Sequence, residues 1–308
     1  MTYTFADLRR WREVTAASSP PLRLSVFGDP VEHSASPPMH NAALEKCGVD
    51  ARYTRLHIRP EELGEALRLL PGAGFIGANL TIPHKAAALP FLDAIDEHAR
   101  KIGAVNTVLV EGERLTGFNT DGPGLVRAVR AEFGVDIRDL RVMVLGAGGG
   151  AGRAISLQCA IERCSRLALV NRTFEKARAL AAELEPYLKS SRLLGPAARL
   201  EAVPWEEPLL KRQLEHTDLI INATSQGMKR TDARLLPASL LTPNLLVYDT
   251  IYGAGRTPLL LAAEEAGARG ANGLSMLLHQ GALAFEIWFG REAPIEEMRA
   301  ALLKRQED

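Results

Sequence analysis

The sequence predicts an α/β protein of two domains, and three observations favour this class. Strand-like and helix-like segments alternate along most of the 308 residues, as they do when helices flank parallel sheets. A chain of this length is near the upper limit for a single hydrophobic core. Residues 141–152 form an apolar strand pattern followed by a glycine-rich run, which is typical of the first turn of a Rossmann-like, dinucleotide-binding domain.

The elements before residue 122 predict the first domain. Residues 1–21 are interpreted as an N-terminal extension that contains a short helix over residues 5–14. Pro37 and Pro38 suit the first turn of a helix that follows an apolar strand. Strands are expected over residues 22–28, 52–58 and 74–81, helices over 61–70 and from Pro83, and a hairpin over 105–110 and 114–118.

The second half predicts a nucleotide-binding domain over residues 122–273. Its expected strands cover residues 141–145, 167–170, 200–203, 218–221 and 245–248, with helices to Arg163 and from Thr173 and a loop from residue 186. The pattern becomes helical again after Gly273, and we expect these helices to return to the first domain. The substrate-binding domain would then be discontinuous, with residues 22–121 plus 274–308, joined to the other domain by long helices.

The composition excludes several classes of protein. Hydrophobic residues make up 46% of the chain, and 37 basic residues balance 37 acidic ones. This balance gives no field that would attract nucleic acid or an anionic membrane, and no apolar run reaches the roughly 18 residues of a membrane span. The charged first twenty residues are not a signal peptide. Three cysteines without disulfide or metal spacing, and scattered histidines, favour a cytoplasmic protein without a metal site.

The glycine-rich run is a candidate pyrophosphate site. Glycines allow a tight turn between strand and helix and let backbone N–H groups approach a phosphate, although they also permit ordinary turns. The residues concerned are Gly146, Gly148, Gly149, Gly150 and Ala151.

The end of the next predicted strand favours NADP over NAD. An NAD enzyme commonly has an acid there, whereas this chain has Asn171, Arg172 and Thr173, with Lys176 one turn later. The guanidinium of Arg172 and the ammonium of Lys176 suit a 2′-phosphate. The alternative is that Thr173 caps a helix beside solvated basic residues.

Two polar segments in the first domain suit a small hydroxylated acid. Ser34 and Ser36 precede a helix and can bind a carboxylate, although Ser36 could simply cap that helix. Asn79 and Thr81 alternate along a strand and are expected to face one side, with Leu80 and Ile82 buried on the other.

Lys85 and Asp121 are candidates for proton transfer. A lysine beside a carboxylate can exchange a proton with an oxygen that gains or loses a hydride at its carbon. The alternatives are a solvated surface lysine and an aspartate that caps the helix ending near Phe133.

Together these motifs resemble the shikimate dehydrogenase family over almost the whole chain from Leu24 to about Leu303. The resemblance rests on residues 27–30, 33–37, 79–85, 104–107, 119–122, 146–149, 171–173, 221–225 and 273–276. It implies reversible NADPH-dependent reduction of 3-dehydroshikimate to shikimate, in the pathway to aromatic amino acids. It also implies a cleft between a substrate-binding domain and a Rossmann-like NADP-binding domain, in a monomer or homodimer.

The resemblance also implies roles for individual residues. Lys85 and Asp121 would be the catalytic pair. Ser34, Ser36 and Tyr252 would hold the carboxylate, and Thr81, Asn106 and Gln280 the ring hydroxyls, with Asn79 as nearby support. Arg172 and Lys176 would bind the 2′-phosphate, and Thr224, Gly273 and Met276 would lie near the ribose and nicotinamide.

The glycine turn is one residue longer than the usual family pattern, which leaves the pyrophosphate-binding amides unassigned. Two alternatives stay open. One is an NAD-preferring quinate/shikimate dehydrogenase, against which Arg172 argues. The other is a metabolite sensor that has lost catalysis, against which the presence of both Lys85 and Asp121 argues.

Overall fold

The chain divides into two compact units in the computed structural model, which describes residues 1–188, 199–229, 231–253 and 255–307. One unit comprises Met1–Gly124 and Leu277–Asp308, and the other comprises Leu125–Met276. The predicted α/β class is confirmed, since each unit contains a sheet with helices in its connections. None of the helices in the described ranges has the length and apolarity that a membrane crossing requires.

The first unit is built on a seven-stranded sheet. Its strands are β1 (Thr2–Thr4), β2 (Leu22–Gly28), β3 (Arg52–His57), β4 (Gly77–Leu80), β5 (Ala94–Ile95), β6 (Thr107–Glu111) and β7 (Arg114–Phe118). Its helices are α1 (Phe5–Leu8), α2 (Trp11–Val14), α3 (Ser36–Lys46), α4 (Leu63–Ala73), α5 (His84–Ala87), α6 (Glu97–Ile102) and the start of α7 (Asp121–Phe133). The strand order is β1-β3-β2-β4-β6-β7-β5, with β6 antiparallel to β4 and β7 and the other pairs parallel.

The second unit is built on a parallel six-stranded sheet. Its strands are β8 (Arg141–Leu145), β9 (Arg166–Asn171), β10 (Leu200–Pro204), β11 (Leu219–Asn222), β12 (Leu246–Asp249) and β13 (Arg269–Asn272), in the order β10-β9-β8-β11-β12-β13. Helices α8 (Gly150–Ile161), α9 (Phe174–Leu188), α10 (Glu207–Leu214) and α11 (Pro258–Glu265) complete it. Of the loop expected from residue 186, residues 189–198 lie outside the described ranges.

The chain returns to the first unit within α12 (Leu274–Phe289), which is followed by α13 (Ile295–Glu307). Trp288 anchors α12 on the first sheet, where its indole Nε1 donates to the carbonyl oxygen of Val108 at 3.0 Å. The indole occupies the space above Gly77, where a Cβ atom would overlap Nε1. Glycine in this buried strand therefore makes room for the C-terminal part of the chain.

Residues 1–21 contain helices within the predicted range 5–14, but the interpretation of this segment as an extension outside the fold is wrong. β1 pairs in parallel with β3, so Thr2–Thr4 form the edge of the sheet, and two short helices follow in place of one. Trp11 is 4% exposed, packs against Phe75 and donates from Nε1 to the carbonyl oxygen of Leu22. The aromatic and apolar residues of this segment complete the core of the first unit, so the segment is part of the fold.

The topology gathers the polar motifs of the first unit at one edge of its sheet. β2 and β4 are parallel, and β7 runs in the same direction because it is antiparallel to β6. The residues after β2, β4 and β7 and before β6 therefore meet, which is where open α/β sheets bind ligands. These are the segments that contain Ser34, Lys85, Asn119 to Asp121, and Asn106.

Candidate active site

Lys85 and Asp121 form an ion pair, as the proton-transfer hypothesis requires. Lys85 Nζ donates to Asp121 Oδ2 at 2.7 Å, with the two side chains 34% and 20% exposed. Lys85 lies on α5, and its carbonyl oxygen accepts a hydrogen bond from the N–H of Val105. Asp121 is the first residue of α7. The pair is thus fixed by two elements and still partly open to a ligand.

The side-chain amide of Asn106 holds the carboxylate of this pair. Asn106 is 2% exposed, and its Nδ2 donates to Asp121 Oδ1 and to Thr120 Oγ1, both at 2.9 Å. Its Oδ1 accepts from the N–H of Thr120 at 2.8 Å. Gln280 Oε1, on α12, lies 3.4 Å from the same Nδ2. Each carboxylate oxygen of Asp121 therefore accepts a hydrogen bond, one from the amide of Asn106 and one from Lys85.

Asn79 supports this network from β4. Its Nδ2 donates to the carbonyl oxygen of Asn106 at 3.1 Å and to Thr107 Oγ1 at 3.0 Å, while its Oδ1 accepts from the hydroxyl of Tyr53 at 2.7 Å. Burial raises the pKa of Tyr53 well above its ordinary value, so the hydroxyl remains a neutral donor. Asn79 is 6% exposed and is held by these internal contacts.

The expectation that Ile82 is buried is wrong. β4 ends at Leu80, which is buried, whereas Ile82 is 74% exposed. Thr81 follows the strand, and its N–H donates to the carbonyl oxygen of Phe27 at 2.9 Å. Alternation stops where the strand stops, so Ile82 lies in the loop that follows and is exposed, while Thr81 Cγ2 lies against Gly28.

Ser36 does not cap α3. Ala35 occupies the N-cap position without a side-chain hydrogen bond, and Ser36 is the first helical residue. Ser34 Oγ accepts from the N–H of Ser36 at 3.3 Å. Ser36 is 8% exposed, and a contact of its hydroxyl with Tyr53 counteracts part of the rise in the pKa of Tyr53. The turn therefore presents two hydroxyls at the start of an eleven-residue helix.

The second unit contains a cradle that fits a dinucleotide phosphate. α8 begins at Gly150 after Gly149, which makes no side-chain cap, so the first N–H groups of the helix have no intrahelical partner. Gly146 has a φ of +82°, and a Cβ atom on Gly152 would overlap the carbonyl oxygen of Gly146. Apart from the chain neighbours of Gly150 and the backbone of α8, no atom of the described residues lies within 4 Å of the Cβ position of Gly150, and Ala151 is exposed in the same turn.

The basic residues expected at a 2′-phosphate lie beside this cradle. A Cβ atom on Gly148 would lie 2.6 Å from Cβ of Lys176, and the N–H of Gly148 donates to Asn171 Oδ1 at 3.2 Å. Arg172 and Lys176 are both exposed, and Arg172 Nη2 donates to Gln226 Oε1. Thr173 follows Arg172, and its carbonyl oxygen accepts from Asn171 Nδ2 at 2.9 Å.

The remaining predicted residues also lie in the second unit. Thr224 Oγ1 donates to Asn222 Oδ1 at 2.8 Å, and Thr224 Cγ2 fills the space over Gly146. Gly273 approaches the carbonyl oxygen of Thr250 so closely that a Cβ atom would overlap it, and the N–H of Met276 donates to the hydroxyl of Tyr248. Tyr252, expected at the carboxylate, is 44% exposed and belongs to this unit, whereas Ser34 and Ser36 belong to the other.

Sequence reasoning missed four residues of these networks: Tyr53, Thr107, Thr120 and Gln226. A signal existed for two of them, because the dipeptide Asn-Thr occurs at residues 106–107 and again at 119–120, on either side of the predicted hairpin. Strands joined by a hairpin bring such flanks together. The described residues contain no cluster of side chains suited to a metal ion.

Comparisons with known proteins identify the family of this chain. Residues 26–108 match the family model of the shikimate dehydrogenase substrate binding domain, and residues 273–303 match that of the shikimate 5′-dehydrogenase C-terminal domain. The NADP(+) shikimate dehydrogenase of Methanopyrus kandleri is 42% identical over 91% of this chain and 94% of its own.

Solved structures give the same result. Shikimate 5-dehydrogenase from Thermus thermophilus, in complex with NADP(H) and shikimate, matches with a TM-score of 0.79 and 37% identity over 92% of this chain and 99% of its own. Quinate dehydrogenase from Corynebacterium glutamicum, in complex with NAD, matches with a TM-score of 0.80 and 28% identity over 92% and 99%. This chain therefore belongs to the shikimate dehydrogenase family.

Proposed function

We propose that this protein is an NADP-dependent oxidoreductase that reversibly reduces 3-dehydroshikimate to shikimate, a step toward the aromatic amino acids. The observation that carries the proposal is the 2.7 Å pair of Lys85 and Asp121, fixed by Asn106. Relatives named as NADP(+) shikimate dehydrogenases support both the substrate and the cofactor.

Lys85 moves the proton in this mechanism. NADPH, when bound, supplies a hydride to the carbonyl carbon of the substrate. The negative charge that develops on the oxygen is met by a proton from Lys85, and the reverse reaction returns that proton to Lys85. Asp121 orients the ammonium group through its hydrogen bond, and Asn106 keeps the carboxylate from rotating away.

The polar residues around the pair bind and orient the substrate. We assign the carboxylate of the substrate to the serine turn at the start of α3, where Ser34 and Ser36 supply hydroxyls. Thr81, Asn106 and Gln280 bind the ring hydroxyls, and Asn79 holds Asn106 in place. A ring bound at several points presents its carbonyl to Lys85 in one orientation, which raises the rate through positioning.

The residues of the second unit fit NADP. The N–H groups of Gly150 and Ala151, at the start of α8, have no intrahelical partner and suit a pyrophosphate, whereas the N–H of Gly149 donates to the carbonyl oxygen of Gly146. Gly146 and Gly148 lack the Cβ atoms that would overlap Thr224 and Lys176, which permits this tight turn. Arg172 and Lys176 supply two positive charges for the 2′-phosphate, and no acid replaces them at residues 171–173. Asn171, Thr173, Thr224, Gly273 and Met276 border the adenosine, ribose and nicotinamide.

The assay follows absorbance of the reduced nicotinamide with shikimate or quinate and with NADP or NAD. We expect rapid reduction of NADP with shikimate and little with the other pairs. Turnover of quinate with NAD would identify an NAD-preferring quinate/shikimate dehydrogenase. The similarity of this chain to the quinate dehydrogenase of Corynebacterium glutamicum is the reason to test this pair. A protein that binds shikimate but turns over none of the pairs would be a metabolite sensor.

We further propose that the enzyme acts in the cytoplasm, as a monomer or homodimer without nucleic-acid partners. Equal numbers of acidic and basic residues support the absence of a nucleic-acid partner, and the free thiols of Cys159 and Cys164 suit a reducing compartment. Light scattering coupled to gel filtration distinguishes the two oligomeric states.

A further inference from the structure

Two arginines converge on the backbone of the serine turn. Arg55, on β3, donates to the carbonyl oxygen of Ser34 from Nε at 3.2 Å and from Nη2 at 2.7 Å. Arg305, on α13, donates to the same oxygen from Nη1 at 2.5 Å and to the carbonyl oxygen of His33 from Nη2 at 2.8 Å. One peptide unit thus lies between two guanidinium groups from distant parts of the chain.

These two charges have no acidic partner among the described side chains. Among the described residues, Arg55 and Arg305 donate only to carbonyl oxygens, whereas Arg59, Arg141 and Arg234 each pair with a carboxylate. Burial lowers the pKa of Arg55 from its ordinary value, and the nearby charge of Arg305 lowers it further. Holding two like charges together is unfavourable, and an anion at the turn would relieve this repulsion.

The hydroxyl of Ser34 remains available while the carbonyl oxygens of the turn are occupied. Arg55 and Arg305 both donate to the carbonyl oxygen of Ser34, Arg305 donates also to that of His33, and within the described ranges Ser34 Oγ is engaged only by the N–H of Ser36. The arginines therefore hold the turn through its carbonyl oxygens and leave the hydroxyl of Ser34 for a ligand. Their charge adds to the favourable field that the start of α3 already offers to an anion.

We propose that Arg55 and Arg305 are positioning residues that make the site select an acid over a neutral polyol of the same shape. This inference rests on the proposed function, because it assigns the acid group of the substrate to the turn of Ser34 and Ser36. The arginines act through the turn and through their charge, without contact to the reacting atoms. The C-terminal helix α13, remote in sequence from the catalytic pair, thereby sets substrate preference.

The experiment compares binding of shikimate with binding of its methyl ester by calorimetry, in the full-length wild type and in Arg55→Gln, Arg305→Gln and Arg305→Lys. We expect shikimate affinity to fall about tenfold in each glutamine variant, and ester affinity to change less than about twofold. Arg305→Lys keeps the charge and retains most of the preference for the acid. In the assay with NADP, KM for shikimate rises in the glutamine variants while kcat stays within about twofold.

Arg291→Gln is the matched control. Arg291 also donates to a backbone oxygen of the α3 region, that of Cys47, but at the other end of the helix. Equal losses for acid and ester, no loss for the acid, or the same loss in Arg291→Gln would each overturn the proposal. Arg305 lies on the last helix, so its variants provide the test even if Arg55→Gln does not fold.

A failure of the proposed function can be distinguished from a failure of the proposal about the two arginines. A wild type that binds shikimate but reduces no NADP would refute the proposed activity, while the comparison of acid and ester would still test the arginines. If raising the salt concentration weakens shikimate binding in the wild type much more than in Arg305→Gln, the role of charge is supported. Equal salt dependence in the two proteins would refute that role.

Discussion

Asn106 and Lys85 bind opposite oxygens of the same carboxylate. Asn106 Nδ2 donates to Asp121 Oδ1 at 2.9 Å, and Lys85 Nζ donates to Oδ2 at 2.7 Å. The side-chain amide of Asn106 is itself buried, and its Oδ1 accepts from the N–H of Thr120, while Asn79 donates to the backbone carbonyl oxygen of Asn106. The orientation of the ammonium group of Lys85 therefore depends on a side chain that carries no charge.

Replacing Lys85 by alanine is expected to lower kcat by about two to four orders of magnitude, because the proton donor is lost. Shikimate affinity should fall much less, since the serine turn and the ring contacts remain. Steady-state rates and calorimetry measure the two effects. Lys46→Ala is the control, because Lys46 forms a comparable pair with Glu297 at 2.6 Å in the same unit. Turnover near the wild-type rate in Lys85→Ala would remove Lys85 from the mechanism.

Asn106→Ala should impair both stability and turnover. The substitution leaves the N–H of Thr120 and one oxygen of Asp121 without their partner in a buried site, which costs about 1–3 kcal/mol of unfolding free energy. We also expect kcat to fall in the folded fraction, because Asp121 can rotate away from Lys85. Gln213→Ala, which removes a buried hydrogen bond from Arg166 in the other unit, should lower stability alone. Unchanged kcat in Asn106→Ala would contradict the orienting role.

Arg172→Asp should shift preference from NADP toward NAD by at least about tenfold, because a carboxylate repels the 2′-phosphate and accepts from a free ribose hydroxyl. Gln226→Glu should weaken NADP binding in the same direction, since the new acid would pair with Arg172. The ratio of kcat/KM for the two cofactors measures both changes. Arg178→Asp, on the exposed side of α9, is the control for added charge. An unchanged ratio in Arg172→Asp would place the 2′-phosphate elsewhere.

Alanine at two glycines of the cradle should have opposite outcomes. In Gly152→Ala the new Cβ atom would overlap the carbonyl oxygen of Gly146, so the turn must distort. In Gly150→Ala it would meet no atom of the described residues within 4 Å apart from its chain neighbours and the backbone of α8. We expect a lower melting temperature and a higher KM for NADP only in Gly152→Ala. Similar values for the two variants would mean that the turn is not held as tightly as this contact requires.

His40 should make the stability of the protein depend on pH. Burial lowers the pKa of His40 from 6.5 to about 3, and the ring is stacked on Tyr53 with neither nitrogen hydrogen-bonded among the described residues. Between these values the unfolded chain binds the proton and the folded chain does not, so stability is lost as pH falls from 6.5 toward 3, by up to about 1.4 kcal/mol per pH unit.

Denaturant unfolding at several pH values measures this loss. His40→Leu should reduce the slope between pH 6.5 and 3, because the leucine takes up no proton in either state. His216→Leu, which replaces an exposed histidine, is the comparison. If the slope in His40→Leu equals that of the wild type, His40 does not govern the acid sensitivity.

The sequence predicted the long, strongly patterned elements and missed those that depend on tertiary pairing. β2, β8 and β9 are apolar strands, and their patterns suffice to locate them. β13, with the sequence Arg-Gly-Ala-Asn, has no strand pattern and exists because it pairs with β12. β1 is similar, since its three residues become a strand only against β3.

In the candidate site, too, some residues were predictable from the local sequence and others depend on tertiary contacts. Lys85 and Asp121 were predicted because their side chains carry the chemistry, and the structure places them 2.7 Å apart. The supporting role of Tyr53 depends on a contact with Asn79 from another strand of the sheet, which local pattern does not encode. The two arginines at Ser34 come from residues 55 and 305, a separation that only the folded chain closes.

Side chains on one face of β3 contact three segments at the edge of the first sheet and so fix their positions relative to one another. Tyr53 contacts Asn79, Arg55 contacts Ser34, and His57 contacts Asp29, at successive alternate positions of the strand. A slip of one residue would turn all three away together. β1 covers the outer edge of β3 and makes it an interior strand, which resists such a slip. Three residues at the N-terminus thus stabilise the register that brings Arg55 to Ser34 and Tyr53 to Asn79.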